Sequence, residues 1–497
     1  MPFFVPHAII GDRITAGITK LKKTYGYARL ISIDEPSPYR VEPPCSFAKK
    51  CGGCPLMSCT YDRQLAWKDA QVENAFRRIA GIPEEVIARA KHPIVGMEKP
   101  YHFRNKSQYP VGRDSDGHAV IGFYAPHSHR IVPICRSDTI ITEWQAGVIA
   151  QQANAIDSRS YAFSGCQIAQ PLDTVILEAV LVYMEEMSVL PYDERTGKGT
   201  IRHVLIRHGL RTGEVMICLV VNADRLPHEE WAIDLLYSIP GVASLVLNVN
   251  KRRDNVILGQ QTRLLWGRER IADTLLGNRF LISAKSFYQV NPAQTERLYQ
   301  KAVDYAALSG TEVVWDLYCG IGTISLCMAK KARQVIGIEV IEDAISDAKE
   351  NAKINGIQNV TFLVGRAEDI LKEHADQPIP DGDTPSLAPP DVVVVDPPRK
   401  GLDEIVIRAI LAASPKRIVY VSCNPATLAR DVKLFLDGGE YQLDAYTPFD
   451  QFGHSVHVET ICMLRKQNRT PDTYIELEID ADEYMIWQFL TRSCSNY

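Results

Sequence analysis

The sequence predicts a multidomain α/β protein whose C-terminal part is a doubly wound parallel sheet. Its 497 residues are too many for one hydrophobic core. After about residue 310, short apolar strands alternate with helical segments, which is the pattern of a parallel sheet covered by helices. A hydrophobic content of 46% with 23% charged residues is typical of an ordinary globular protein.

The chain carries no sequence feature of a membrane-spanning or secreted protein. It has no run of about 18 apolar residues that could cross a bilayer. The N-terminal stretch MPFFVPHAII lacks the basic residues that precede the apolar part of a signal peptide. We therefore expect a cytoplasmic protein. The net charge of −5 does not favour a nucleic-acid partner, but a whole-chain sum can hide a local basic face.

Two regions precede the C-terminal sheet. In residues 1–40, short apolar runs broken by Gly and charge predict the strands of a small barrel. Bases and aromatics there suit phosphate contact and base stacking, or else form the solvated edge of a hairpin: Lys20, Lys22, Lys23, Tyr25 and Tyr27. Residues 41–284 contain a helix at 61–80, which we expect to pack on the C-terminal domain, and are otherwise mostly strands. The C-terminal domain spans 285–466, and we assign no role to the polar tail 467–497.

The cysteines point to a metal site. The chain has twelve of them without an export signal, and a reducing compartment makes disulfides unfavourable. Four isolated cysteines we interpret as small residues of the core: Cys166, Cys218, Cys327 and Cys462.

The clustered cysteines lie in the stretch CSFAKKCGGCPLMSC. Cys45, Cys51 and Cys54 form a C-x5-C-x2-C pattern on a loop that glycines allow to fold tightly. The fourth ligand could be Cys59 nearby or Cys135 further along. The metal could be zinc or an iron–sulfur cluster, and three grouped cysteines with one distant partner favour the cluster.

A second motif, VVWDLYCGIGTISL, predicts a nucleotide-binding turn. Asp316 ends a strand, and Gly320 and Gly322 open the next helix, where their small size lets a ligand approach the backbone. Glu339 ends the following strand, where an acid would bind a ribose diol. Ser325 stands where the last glycine of a dinucleotide fingerprint would be, which favours S-adenosylmethionine over a dinucleotide.

Two further strands end in chemically reactive residues. Asp396 follows the strand VVVV and precedes two prolines, and Cys423 follows IVYVS at the start of a helix. Both lie at strand carboxyl ends, where open parallel sheets bind ligands. We expect the helix N-terminus and Arg399 to favour the thiolate form of Cys423.

A cysteine nucleophile beside a methyl donor suggests methylation of a pyrimidine carbon. Addition of a thiolate to C6 of uracil makes C5 nucleophilic, and a base must afterwards remove the C5 proton. The strand SVHVETICML supplies Glu459 for this role, with His457 as the second choice. The alternatives are a DNA cytosine methyltransferase, which the Ser-Cys-Asn-Pro setting does not favour, and a non-catalytic ribosomal RNA-binding module.

These motifs together resemble a known family. C-x5-C-G-G-C, FYQVN, DLYCGIGT, DPPRKG, SCNPATLARD and HVE occur in the order seen in the iron–sulfur-dependent RNA uracil-5-methyltransferases. The resemblance covers roughly residues 1–466. The stretch QFGHSVHVE departs from the family pattern at Gly453 and His454, and the tail has no counterpart.

The resemblance implies a fold and a set of partners. It implies a Rossmann-like class I methyltransferase domain at 285–466, a mixed α+β iron–sulfur and RNA-binding domain at 41–284, and a short OB-like (TRAM) barrel at 1–40. The substrate would be RNA, with 23S ribosomal RNA favoured over tRNA because a cluster and a barrel are both present. We expect neither a DNA nor a membrane partner, and a monomeric protein.

The resemblance also assigns residues to roles. Cys423 would be the nucleophile and Glu459 the general base. Six residues would bind S-adenosylmethionine: Gln289, Tyr318, Gly320, Gly322, Glu339 and Asp396. Four cysteines would hold a [4Fe-4S] cluster: Cys45, Cys51, Cys54 and Cys135.

Overall fold

The computed structural model describes residues 1–136, 165–375 and 388–467. The N-terminal region is a three-stranded sheet of order β1-β3-β2. Its strands are β1 (Phe3–Phe4), β2 (Arg13–Leu21) and β3 (Gly26–Glu35). The sequence predicts a small barrel in this region. The described residues instead form an open three-stranded sheet. Ile18, Leu21 and Ile31 are exposed on this sheet because no second layer of described residues covers them.

The segment after the cysteine-rich loop packs on the C-terminal domain. It consists of α1 (Tyr61–Ala75), a π-helical turn (Phe76–Ala80) and α2 (Glu84–Ala90). Val72 and Phe76 are buried in the core of that domain, and the Phe76 ring lies 4.8 Å from the ring of Tyr446. The segment thus contributes to the core of the C-terminal domain, and the turn that follows α1 is π-helical.

The central domain is built on a seven-stranded sheet of order β10-β9-β8-β7-β4-β5-β6. Two helices, α3 (Leu172–Glu186) and α4 (Glu229–Tyr237), supply apolar side chains to the core on one face. The strands are β4 (Lys106–Arg113), β5 (Ala119–Tyr124), β6 (Ile131–Arg136), β7 (Ile201–His208), β8 (Val215–Val221), β9 (Val242–Val249) and β10 (Gln261–Gly267). Every residue of β7 and β8 is buried, as expected for strands in the middle of a covered sheet.

The C-terminal domain contains the predicted doubly wound sheet. A hairpin, β11 (Ile271–Leu275) and β12 (Asn278–Ile282), precedes it. The helices are α5 (Pro292–Ala306), α6 (Thr323–Ala329), α7 (Glu342–Ile354), α8 (Ala367–Ala375), α9 (Glu404–Ala413) and α10 (Pro425–Asp437). The strands are β13 (Val313–Leu317), β14 (Gln334–Glu339), β15 (Val360–Val364), β16 (Val392–Val395), β17 (Arg417–Ser422), β18 (Tyr441–Phe449) and β19 (Glu459–Lys466).

The strand order of this sheet is β15-β14-β13-β16-β17-β19-β18. The first five strands are parallel, and β19 runs antiparallel to both of its neighbours. Val314 and Trp315 enter different hydrophobic clusters because successive strand residues point to opposite faces. The sheet thus has a core on each face, and its strand ends form the upper edge where ligands bind.

Two remaining expectations concern the tail and the membrane. Residues 468–497 of the tail lie outside the described residues. Among the helices that the structure describes, none combines the length and the apolar character needed to cross a membrane.

Candidate active site

A cavity of about 1240 Å³ lies at the carboxyl ends of the parallel strands. It is lined by seven of the eight residues that the sequence analysis assigns to catalysis and methyl-donor binding: Gln289, Tyr318, Gly320, Glu339, Asp396, Cys423 and Glu459. Gly322 does not line the cavity. A side chain at Gly322 would meet the Phe362 ring at 2.8 Å, so this glycine permits close packing rather than ligand contact.

The turn after β13 is shaped by left-handed backbone conformations. Tyr318 has φ 69°, Gly320 has φ 54° and Gly322 has φ 81°. The backbone N–H groups of Tyr318 and Cys319 donate to the carbonyl of Ile338, which ties the turn to β14. Nothing lies within 4 Å of a Cβ placed at Gly320, so this position leaves open space at the cavity wall.

Glu339 holds the other side of the turn. Its carboxylate accepts hydrogen bonds from the N–H groups of Val340 at 2.8 Å, Ile341 at 3.0 Å and Gly320 at 3.3 Å. The carboxylate is thereby fixed at the cavity wall, at the strand end where a ribose is expected.

Asp316 is a buried acid below this turn. The hydroxyl of Ser325 donates to its Oδ2 at 2.5 Å, while its Oδ1 has no partner among the described residues. Burial raises the pKa of Asp316 to about 7. Ser325, which replaces the last glycine of the dinucleotide fingerprint, thus holds the Asp316 carboxyl in place through a hydrogen bond.

Cys423 and Glu459 are brought together by strand register. Ser422 at the end of β17 pairs with Thr460, so the next residues along the two antiparallel strands are Cys423 and Glu459. Asn424 caps α10 by accepting the N–H of Ala426 at 3.0 Å, which fixes the helix start directly after the thiol.

The two carboxyls next to the thiol share a buried environment. Burial raises the pKa of Asp396 to about 7. Burial, and then the charge of Asp396, raise the pKa of Glu459 well above its ordinary value. Among the described residues, no group donates a hydrogen bond to the Glu459 carboxyl. Such a carboxylate is a stronger base than one exposed to water, because its charged form is poorly solvated.

Arg399 lowers the pKa of the Cys423 thiol, as expected, but this effect does not decide the value. Burial, followed by the charges of Glu459 and Asp396, raises the pKa of the Cys423 thiol to about 11, and Arg399 offsets only part of this rise. Two negative neighbours and poor solvation outweigh one cation.

Two phenylalanines line the cavity: Phe287, which with Tyr288 is a sequence-based candidate for stacking on a base, and Phe452, which the sequence analysis did not assign. Phe287 lines the cavity and is 67% exposed, whereas its neighbour Tyr288 is buried with its hydroxyl 3.5 Å from Asp273. Phe452 lines the cavity from the loop between β18 and β19. Phe452 lies between the motifs SCNPATLARD and HVE. Residue spacing does not predict whether a side chain on such a loop reaches the cavity.

The cysteine-rich loop lies beside Cys166. Cys54 and Cys166 each interact electrostatically with Cys45 and Cys51, and Cys54 also interacts with Cys166. Burial raises the pKa of Cys166 to about 11. The N–H of Gly53 lies 3.5 Å from the sulfur of Cys51. Four thiols therefore share one neighbourhood.

The structure corrects two interpretations of the cysteines. Cys166 is half-buried beside the loop rather than a core residue, while Cys218, Cys327 and Cys462 are buried as predicted. Cys135 lies on β6 inside the hydrophobic core of the central domain, with Glu178 as its charged neighbour. The family resemblance assigns Cys135 as the fourth ligand, but the fold brings Cys166 to the loop instead.

The four thiols are not arranged as a metal coordination site. Within the described residues, no three His, Cys, Asp or Glu side chains are close enough to bind one metal ion. The donor set is nevertheless all sulfur, as iron–sulfur clusters require. Cys59 lies apart, with Arg63 and Arg40 as its charged neighbours.

The fold and the cavity define a class I S-adenosylmethionine-dependent methyltransferase. The parallel sheet carries a glycine-rich turn, a ribose-binding acid position and a cavity at its carboxyl edge.

Comparisons with known proteins place the chain in a family. A family profile for tRNA (uracil-5-)-methyltransferases matches residues 247–467. An uncharacterized RNA methyltransferase of Listeria innocua is 44% identical over 463 residues, covering 93% of this chain and 92% of the relative. A similar protein of Halalkalibacterium halodurans is 41% identical, covering 94% and 92%. The chain belongs to the RNA (uracil-5-)-methyltransferase family and is an RNA methyltransferase that uses S-adenosylmethionine.

A solved structure is similar over most of the chain. The tRNA (uracil-54, C5)-methyltransferase of Pyrococcus abyssi, in complex with S-adenosyl-L-homocysteine, is 26% identical with a TM-score of 0.68. The match covers 93% of this chain and 95% of that one.

Proposed function

We propose that this enzyme transfers a methyl group from S-adenosylmethionine to C5 of uridine in 23S ribosomal RNA through a covalent adduct on Cys423. The observation that carries the proposal is the pairing of β17 with β19, which sets a thiol and a buried, poorly solvated carboxyl side by side. A nucleophile and a base are the two groups that C5 methylation of uracil requires.

The residues of the cavity divide into a donor side and a target side. Gly320, Glu339 and Gln289 face the donor, and S-adenosylmethionine supplies an electrophilic methyl group when bound there. Phe287 and Phe452 offer aromatic surfaces on which an extruded uracil can stack. Extrusion from the RNA stack costs a few kcal/mol, so a single-stranded loop is the favoured target.

The reaction on the target side moves protons at the thiol and at C5. Cys423 loses its thiol proton and its sulfur adds to C6, which makes C5 nucleophilic enough to accept the methyl group. Glu459 then removes the proton from C5. The electron pair of that bond forms the C5–C6 double bond, and the thiolate leaves and regains a proton.

The proposal also includes a [4Fe-4S] cluster held by Cys45, Cys51, Cys54 and Cys166. Its support is the shared neighbourhood of four thiols, and ligation would require the loop to close around the cluster. Cys166 replaces Cys135 in the ligand set because Cys135 faces the core of the central domain.

A second candidate substrate is tRNA. The solved relative from Pyrococcus abyssi is a tRNA (uracil-54, C5)-methyltransferase. Mapping of 5-methyluridine by mass spectrometry in ribosomal RNA and tRNA from cells lacking the protein distinguishes the two substrates. Loss at a ribosomal uridine supports our proposal, and loss confined to tRNA refutes the choice of 23S ribosomal RNA.

The covalent step has its own test. Transcripts of 23S ribosomal RNA containing 5-fluorouridine should trap the enzyme, because Glu459 cannot remove fluorine from C5 and the adduct persists. Wild-type enzyme and a Cys218→Ala control, altered at a buried thiol that does not line the cavity, should form a complex stable to denaturing electrophoresis. Cys423→Ala should form none. Trapping by Cys423→Ala would refute the assignment of the nucleophile.

A further inference from the structure

A buried ion pair lies behind the cavity wall. Lys68 on α1 and Asp450, just after β18, are both 0% exposed, and Nζ lies 2.5 Å from Oδ1. The hydroxyl of Tyr61 donates to Oδ2 of Asp450 at 2.6 Å. The Lys68 ammonium also donates to the carbonyl of Phe452 at 3.0 Å. Both charges are thus satisfied within a site closed to water.

Stability does not explain such a pair. Removing two charges from water costs several kcal/mol per ion, and apolar residues of similar size are often as stable or more so. A buried pair in such a place instead fixes one arrangement of the elements that it joins. Here it joins α1 to the loop 450–458, which connects β18 to β19.

The same loop is bound from its other side by α5. The side chain of Gln294 donates to the carbonyl of Asp450 at 3.2 Å, and that of Asn291 donates to the carbonyl of Gln451 at 3.2 Å. Gln451 in turn donates to the hydroxyl of Thr295 at 2.8 Å. The first residues of the loop are therefore held between two helices.

The loop ends at Glu459, whose carboxyl accepts no hydrogen bond from the described residues. No hydrogen bond within the described part of the chain orients this carboxyl, so its position depends on the packing around it, on the backbone of β19 and on the loop that leads into that strand. The same loop carries Phe452, whose ring lines the cavity and whose carbonyl is held by Lys68. A catalytic base without hydrogen-bond partners depends for its position on the rigidity of the backbone segments that carry it.

Helix α1 also carries the cysteine-rich loop. Gln64 donates to the carbonyl of Cys59 at 2.8 Å and lies 3.3 Å from the ring nitrogen Nδ1 of His454. The N–H of Leu56 donates to the carbonyl of His454 at 2.9 Å. One helix therefore supports both the thiol site and the loop that leads to the base.

We propose that Lys68 and Asp450 are positioning residues that hold Glu459 in place for removal of the C5 proton. The inference rests on the proposed function, since it assumes that Glu459 acts after methyl transfer. It predicts a defect confined to the last chemical step. Addition of Cys423 and methyl transfer continue, but breaking of the C5–H bond and release of the thiolate become slow.

The test uses a variant that leaves no unpaired buried charge. Lys68→Met/Asp450→Asn neutralises both partners, so folding and the unfolding temperature should stay close to wild type. We expect kcat and KM to fall together by about tenfold, so that kcat/KM stays near wild type, because the slowly released covalent intermediate accumulates. Lys416→Met is the control, since the Lys416–Asp391 pair lies at the opposite end of the same sheet.

The decisive readout is the adduct on ordinary RNA. With unmodified 23S transcript or tRNA transcript and S-adenosylmethionine, the double variant should accumulate a covalent complex several-fold above wild type on denaturing gels. Trapping on the 5-fluorouridine transcript should equal that of wild type. A fall in kcat without added adduct, or with a matching loss of trapping, overturns the inference.

A different conclusion follows if the wild-type enzyme forms no covalent complex with 5-fluorouridine RNA. That result refutes the covalent mechanism itself, and the positioning role falls with it. Wild-type trapping together with wild-type behaviour of the double variant refutes only the positioning role.

Discussion

The raised pKa of Cys423 makes a prediction about the methyl donor. At about 11 the thiol pKa lies two units above the ordinary 9.0, so at neutral pH the thiolate fraction is roughly 100-fold smaller than for an exposed cysteine. The bound donor brings a positively charged sulfur into the cavity. We therefore expect the donor to activate the nucleophile, a task that Arg399 alone does not complete.

The size of this effect follows from the reaction geometry. In the proposed adduct, the donor sulfur, its methyl group, C5, C6 and the cysteine sulfur would form one chain of bonds, which would place the two sulfurs about 6 Å apart. At an effective dielectric constant of about 20, a unit charge at that distance contributes about 2.8 kcal/mol, or about two pKa units. The donor should thus restore the thiol to near its ordinary pKa.

The assay is alkylation of Cys423 by iodoacetamide, followed by mass spectrometry of its peptide from pH 7 to 10. S-adenosylhomocysteine is the matched control, because it occupies the same site without the sulfonium charge. Saturating S-adenosylmethionine should speed alkylation at pH 7.5 up to about 100-fold relative to the control. The difference should shrink as the pH rises and the thiol ionises in both complexes. Equal rates with both ligands would refute the electrostatic reasoning.

Three further predictions test other parts of the structure. Cys166→Ser should lower the iron content of anaerobically purified protein, whereas Cys135→Ser should keep it; the reverse result would restore the sequence-based ligand set. Gly320→Ala should cost about 1–2 kcal/mol of unfolding free energy from its left-handed backbone alone. Gly322→Ala should cost more, since its Cβ also meets an aromatic ring at 2.8 Å, and equal denaturant midpoints would contradict this. Glu339→Gln should weaken S-adenosylmethionine binding roughly 10- to 100-fold by calorimetry, because a charged acceptor is lost; an unchanged Kd would exclude a ribose contact.

The sequence by itself determined the architecture of the catalytic domain. Alternating strands and helices fix a parallel sheet, and a parallel sheet gathers its strand carboxyl ends at one edge. Asp316, Glu339, Asp396 and Cys423 each follow or end an apolar strand, so their convergence could be predicted without coordinates. The tight turn at Gly320 and Gly322 could also be predicted, because the conformational freedom of glycine is a local property of the chain.

Tertiary structure decided whatever depends on contacts between distant segments. Cys166 reaches the cysteine loop although Cys135 is nearer in sequence, because β6 turns Cys135 into the core of the central domain. The thiol pKa depends on two carboxyls from other strands, which no local pattern reveals. Lys68 and Asp450 are 382 residues apart in the chain and lie in contact in the fold. Residue spacing predicts which side chains share a face of one helix or one strand. It does not predict which buried charges from distant segments form an ion pair, because that depends on how the segments pack.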